Sequence, residues 1–189
     1  MKKRLVTMLA MMLIATAPIM AFANSNYRVE EGYIVNSENN KVANALIDIE
    51  GKKYMTAETG AFKKGWIEKN DKWYYAGDDG TLVKGFITIA GKTFYLNENS
   101  YELQEGIIQT EAGMSYVQES GELISGWKKI GQDWYYFDIQ SLGDVTINIA
   151  RVGWLESNGL WYYFYPDGKM ARNAYVYGYF FDSHGVCRY

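Results

Sequence analysis

The chain has 189 residues, of which 16% are aromatic, with a formal net charge of −3, one cysteine and one histidine. An acidic balance argues against nucleic acid or anionic lipid as a partner. One Cys and one His cannot make a metal-ligand cluster, so no metal or cofactor is expected, and no internal disulfide can brace the fold.

Residues 1–23 read as a secretory signal peptide. Lys2, Lys3 and Arg4 precede an apolar stretch from Leu5 to Met20, and Ala21-Phe22-Ala23 offers small residues at the cleavage positions. The apolar run is shorter than the ~20 residues a spanning helix needs, so cleavage after Ala23 and no stable membrane insertion are expected. Loss of the three basic residues takes the formal charge from −3 to −6. No sorting signal, C-terminal hydrophobic tail or lipid-bearing cysteine at the signal junction is visible, so retention at a cell surface would be non-covalent. Cys187, three residues from the C-terminus by count, reads as an incidental thiol or as the means of linking two chains into a dimer.

From residue 26 onward one pattern organises the chain: Gly-Trp, six residues, Trp-Tyr-Tyr. It occurs at Gly65-Trp66 to Tyr75, Gly126-Trp127 to Tyr136 and Gly153-Trp154 to Tyr163. Cutting at the glycine frames about eight units: 26–44, 45–64, 65–84, 85–105, 106–125, 126–152, 153–172 and 173–189. The unit 126–152 carries an insertion near Ser141 to Ile149, and the last unit is shortened. Units of about twenty residues cannot bury themselves singly, so function should lie between neighbours.

Within a unit, the aromatic run Trp73-Tyr74-Tyr75 is followed by Asp78-Asp79-Gly80 and then by Thr81-Leu82-Val83. This reads as two short strands around a Gly-containing loop, with the Gly-Trp segments as connectors between hairpins. Glycine and β-favouring residues interrupt every helical pattern after Ala23. The prediction is all-β: a solenoid of stacked β-hairpins with almost no helix. Strand alternation puts Trp73 and Tyr75 on one face and leaves Tyr74, Tyr135 and Tyr162 on the other, as candidates for the packing core.

The spacing Gly-Trp-x6-Trp-Tyr-Tyr, a Gly-centred turn and Leu or Met two residues later resembles the cell-wall-binding or choline-binding repeat of Gram-positive surface proteins. That resemblance implies a left-handed superhelix of hairpins with choline bound between consecutive units, in boxes walled by the two tryptophans and a ring of the next hairpin. Carried onto this chain it gives Trp66, Trp73 and Tyr95 with Leu82 nearby; Trp127, Trp134 and Tyr163; and Trp154, Trp161 and Phe180. The chemistry fits, because a quaternary ammonium donates no hydrogen bond and is held by the negative faces of aromatic rings. Several weak sites on one rod multiply against a polymer by avidity.

Degenerate units limit the number of sites to three. Thr93 stands at a strand Trp position, and Ile107 with Met114, and Leu46 with Lys53, replace both tryptophans of their units. The insertion, lying between walls of the second site, could displace Tyr163. The same repeats are similar in outline to the glucan-binding regions of glucosyltransferases and the receptor-binding repeats of clostridial toxins, so a surface glycan is the alternative partner. Asn70, Gln132, Asp133 and Asn158 are then the polar groups beside the rings, unless they only form turns.

Catalysis finds little support. Asp182, Ser183 and His184 are adjacent in a turn and cannot form a chain of hydrogen bonds, and Glu30-Glu31 and Asp78-Asp79 fall in solvated loops. The expectation is a non-catalytic binding module, secreted and retained at the bacterial surface, with no catalytic domain attached.

Overall fold

The computed structural model describes residues 26–143 and 145–188; the signal peptide predicted over 1–23 lies outside them. Among the described residues there is no helix, and the strands pair with sequence neighbours in successive antiparallel hairpins. The first four hairpins are β1 (Tyr27–Glu30) with β2 (Tyr33–Asn36), β3 (Leu46–Ile49) with β4 (Lys52–Met55), β5 (Gly65–Lys69) with β6 (Lys72–Ala76), and β7 (Gly85–Ile89) with β8 (Lys92–Leu96). Then come β9 (Gly106–Thr110) with β10 (Gly113–Val117), β11 (Gly126–Ile130) with β12 (Asp133–Leu142), and β14 (Gly153–Ser157) with β15 (Leu160–Phe164). β13 (Val145–Ala150) adds a third strand to the β11–β12 sheet. The last sheet joins β16 (Ala174–Val176), β17 (Tyr179–Phe181) and β18 (Cys187–Arg188).

The hairpins are closed differently from the sequence expectation. The Gly-Trp segment is the first strand of each hairpin and pairs with the Trp-Tyr-Tyr strand, so that Trp66 faces Tyr75, Trp127 faces Tyr136 and Trp154 faces Tyr163. Two-residue turns make this possible. Asn70 and Asp71 have φ of 53° and 58°, and Asn158 and Gly159 have 54° and 75°, the left-handed pair whose twist matches that of hairpin strands. The Asp78-Asp79-Gly80 turn instead leads to the single bridge Ala76↔Leu82.

That returning tail is what clamps one hairpin to the previous one. The amides of Leu82, Leu103, Leu123 and Met170 donate to the carbonyls of Lys53, Trp73, Thr93 and Trp134, at 2.8, 2.7, 2.8 and 2.8 Å. Between these clamps a single side chain per unit fills the axis of the rod. Ala76, Leu96, Val117, Phe137, Phe164 and Phe181 occupy equivalent strand positions and are each at most 1% exposed. Tyr135 is buried as the alternation predicted, whereas Tyr74 and Tyr162 are only half-buried. Cys187 packs beside Phe181 and Tyr163, inside the last core cluster, so an interchain bond would require it to leave that core.

Candidate functional site

Each Gly-Trp tryptophan is the hub of a ring cluster. Trp66 meets Trp73 at 6.4 Å, Tyr75 at 5.2 Å and Phe94 at 4.9 Å between centroids, all edge-on. Trp127 meets Trp134 at 6.4 Å, Tyr136 at 5.3 Å and Tyr162 at 4.8 Å. Trp154 repeats this with Trp161 at 6.2 Å, Tyr163 at 5.5 Å and Tyr179 at 5.4 Å. The strand tryptophans remain open to solvent: Trp73, Trp134 and Trp161 are 44%, 37% and 40% exposed.

The tryptophan pairs named from the sequence are thus brought together, but the third ring is displaced by one residue in every case. Phe94 stands where Tyr95 was expected, Tyr162 where Tyr163 was expected, and Tyr179 where Phe180 was expected. The cause is strand parity. Trp73 and Tyr75 share the face that looks toward the following hairpin, so a ring looking back must come from the opposite face, which carries the residue two before the axial Leu96, Phe164 or Phe181. Tyr95 instead pairs with Phe86 on its own hairpin, Tyr163 with Trp154, and Phe180 with Tyr175. Leu82 packs with Met55 and Ile67, and the aliphatic neighbour of the first cluster is Leu103, one unit on.

Two of the clusters line cavities. One of about 240 Å³ is bounded by Trp127, Trp134, Tyr162, Met170 and His184. The other, about 530 Å³, is bounded by Trp66, Trp73, Phe94 and Leu103, with Lys92, Glu105, Glu119, Ser120 and Glu122 at its margin. In the third cluster Tyr179, 43% exposed, supplies an open wall. Asn70, Gln132, Asp133 and Asn158 do not line either cavity. Asn70 and Asn158 hold the turns, the Gln132 carbonyl accepts from Arg172, and Asp133 pairs with Lys169 at 3.5 Å. His184, read as a plain loop residue, in fact closes the second cavity; the signal missed was that its turn repeats Gln118–Gly121 of the first.

The insertion does not disturb the second cluster. β12 runs on past the hairpin, and β13 turns back across the β7–β8 and β9–β10 hairpins, placing Ile147 and Ile149 against Ile108, Val117, Leu123 and Phe86. The Thr93 hydroxyl donates to the Thr146 carbonyl at 2.8 Å and the Ser115 hydroxyl to that of Asn148 at 2.7 Å. Phe86, Thr93, Ser115 and Leu123 hold the positions that Trp66, Trp73, Phe94 and Leu103 hold in the first cluster. At this interface the chain's own strand sits where the Trp66 and Trp127 clusters keep an open cavity.

Among the described residues no group of three or more His, Cys, Asp or Glu could hold a metal ion. Tyr95 has its phenol pushed above the usual tyrosine range, first by burial and then by Glu98. Burial does the same to Tyr135.

A family model described as "Putative cell wall binding repeat" matches residues 64–82, 84–99, 125–139 and 152–170. No curated protein sequence matches the chain. Among solved structures, choline binding protein F from Streptococcus pneumoniae is 26% identical with a TM-score of 0.68, over 87% of this chain and 57% of that one. A second structure of it, in the presence of a peptidoglycan analogue, gives 26% and 0.69 over 87% and 58%. The chain thus spans less than three fifths of that protein's length. The choline-binding domain of CbpL from the same species is 22% identical with a TM-score of 0.64, over 87% and 86%. The chain thus carries four copies of the cell wall binding repeat, and its hairpins stack as in these structures.

Proposed function

We propose that the chain is a non-catalytic module that binds choline on teichoic or related wall polymers, through aromatic cages between consecutive hairpins. The observation that carries this reading is the second cavity. Three rings and a methionine surround an opening of about 240 Å³, which suits a trimethylammonium group that seeks ring faces and rejects hydrogen-bond donors. The open Trp66/Trp73/Phe94 cavity and the Trp154/Trp161/Tyr179 cluster are the further sites. Cation–π attraction of about 0.5–2 kcal/mol per ring leaves a single site weak after the costs of association. Several sites on one rod gain avidity on a polymer carrying many cholines. The names of the structural relatives, choline-binding proteins of a Gram-positive bacterium, support the same ligand. Export by residues 1–23 and non-covalent retention at the cell surface complete the reading.

Retention of the mature protein on an immobilised choline or tertiary-amine resin, with elution by free choline, tests it. Choline should compete better than ethanolamine, because each lost methyl exposes an N–H that needs water. It should also outcompete the neutral isostere 3,3-dimethylbutanol. Equal competition by choline and that isostere would reduce the cage to hydrophobic fit, and elution by glucans alone would replace choline with carbohydrate.

A further inference from the structure

The two cavities have the same ring frame but different mouths. Each is closed by a turn from two units further along, Gln118–Gly121 for the first and Asp182–Gly185 for the second, with amide bonds Gly121 to Gln118 at 2.8 Å and Gly185 to Asp182 at 2.9 Å. At this place the first carries Glu119 and Ser120, the second Ser183 and His184.

The charge at the two mouths follows from those residues. Glu105, Glu119 and Glu122 border the first cavity with Lys92. Lys92 is taken up by Glu122 at 2.7 Å, and Glu105 and Glu119 have no ion pair among the described residues. The second cavity has no carboxylate on its wall. Of the acids on its elements, Asp133 shares Lys169 with Asp167, both at 3.5 Å, and Asp182 is held by Arg188 at 2.7 Å. An exposed imidazole stands there instead, able to donate an N–H to an anionic oxygen.

Resting on the choline reading above, we infer that the two cages differ in the charge of the ligand they accept: the first selects a purely cationic group, and the second also accepts an ammonium joined to an anionic group. Two carboxylates at the first mouth attract the ammonium and repel a phosphate a few atoms away. His184 and the absence of acids on the second wall remove that repulsion and offer the phosphate a donor. One rod would then hold free or neutral-linked choline at one end and phosphate-linked choline at the other.

Two single-site proteins test this, both in the full mature chain. W134A/W161A leaves the first cage and W73A/W161A the second; the changed tryptophans are the exposed ones. Calorimetry with choline and with phosphocholine gives an affinity ratio for each. The first cage should prefer choline by roughly fivefold, the scale of two exposed charge contacts, with the preference shrinking at high salt. The second should bind phosphocholine at least as well as choline. Adding E105Q/E119Q should erase the preference of the first, and adding H184A should weaken phosphocholine at the second. The same ratio in both proteins, or a ratio in the first unmoved by E105Q/E119Q, overturns the inference. If neither protein binds choline at all, the cage reading itself falls, and this one with it.

Discussion

Met170 donates its backbone N–H to the carbonyl oxygen of Trp134 at 2.8 Å, and that bond ties the tail of one unit to the cage of the unit before it. The clamp and the cage are therefore one device. The residue that joins two hairpins also forms part of the wall between them, as Leu103 does for Trp73. Ligand affinity and rod continuity should respond together to changes at these tails.

Gly185 makes the most direct test of that coupling. It has a φ of 77°, and a Cβ there would stand 2.6 Å from Met170 Sδ. Gly185→Ala should cost about 1–3 kcal/mol from the backbone alone and push Met170 off the second cage. Thermal unfolding should show a lower Tm, and calorimetry on the W73A/W161A background should show weaker choline binding. An unchanged affinity in a folded variant would separate the clamp from the cage.

Parity predicts opposite outcomes for two adjacent tyrosines. Tyr162→Leu removes a ring 4.8 Å from Trp127 and should weaken choline at the second cage by about 2- to 30-fold, the worth of one cation–π contact. Tyr163→Phe keeps the buried ring on Trp154 and should leave that cage unchanged. Titration of both variants in the single-site background measures the difference.

Ile147 is the anchor of the folded-back strand, at 1% exposure. Ile147→Ala should cost about 2–5 kcal/mol as a core truncation, read as a lower midpoint in denaturant. Choline affinity at the Trp127 and Trp66 cages should not move, because Ile147 packs with Ile108, Val117 and Leu123 and not with their rings. Weaker binding in the folded variant would show that the strand supports the sites as well as the rod.

Acid should loosen the C-terminal turn. Burial acts to raise the Asp182 carboxyl, but bonds from the Val186 and His184 amides and from Arg188 outweigh it and hold the group below its ordinary value of 3.8. A carboxylate with a depressed folded value stabilises above its unfolded value and loses that contribution as pH falls through the folded one. Protection of the 182–186 amides against hydrogen exchange should therefore fall below about pH 4. Asp182→Asn should be poorly protected at neutral pH and show no such acid step.

Periodicity alone determined a good deal here. Gly-Trp-x6-Trp-Tyr-Tyr identifies the repeat, the all-β class and the two tryptophans of each ring cluster, because they lie within one hairpin and their spacing is local. Alternation within one strand likewise puts Trp73 and Tyr75 on a shared face. What local pattern leaves open is which face of a hairpin meets which face of the next. That choice depends on the tail bonds to Lys53, Trp73, Thr93 and Trp134, contacts between units with no spacing signature of their own. Phe94, Tyr162 and Tyr179 came beside the Gly-Trp tryptophans of the preceding hairpins through it, where Tyr95, Tyr163 and Phe180 were expected. The insertion shows the same division. Its alternating Val145, Ile147 and Ile149 mark a strand with one apolar face, but only the stacked rod offers the groove of Phe86, Thr93, Ser115 and Leu123 in which that face is buried. His184, too, reaches the second cage solely because two units of superhelix bring its turn there.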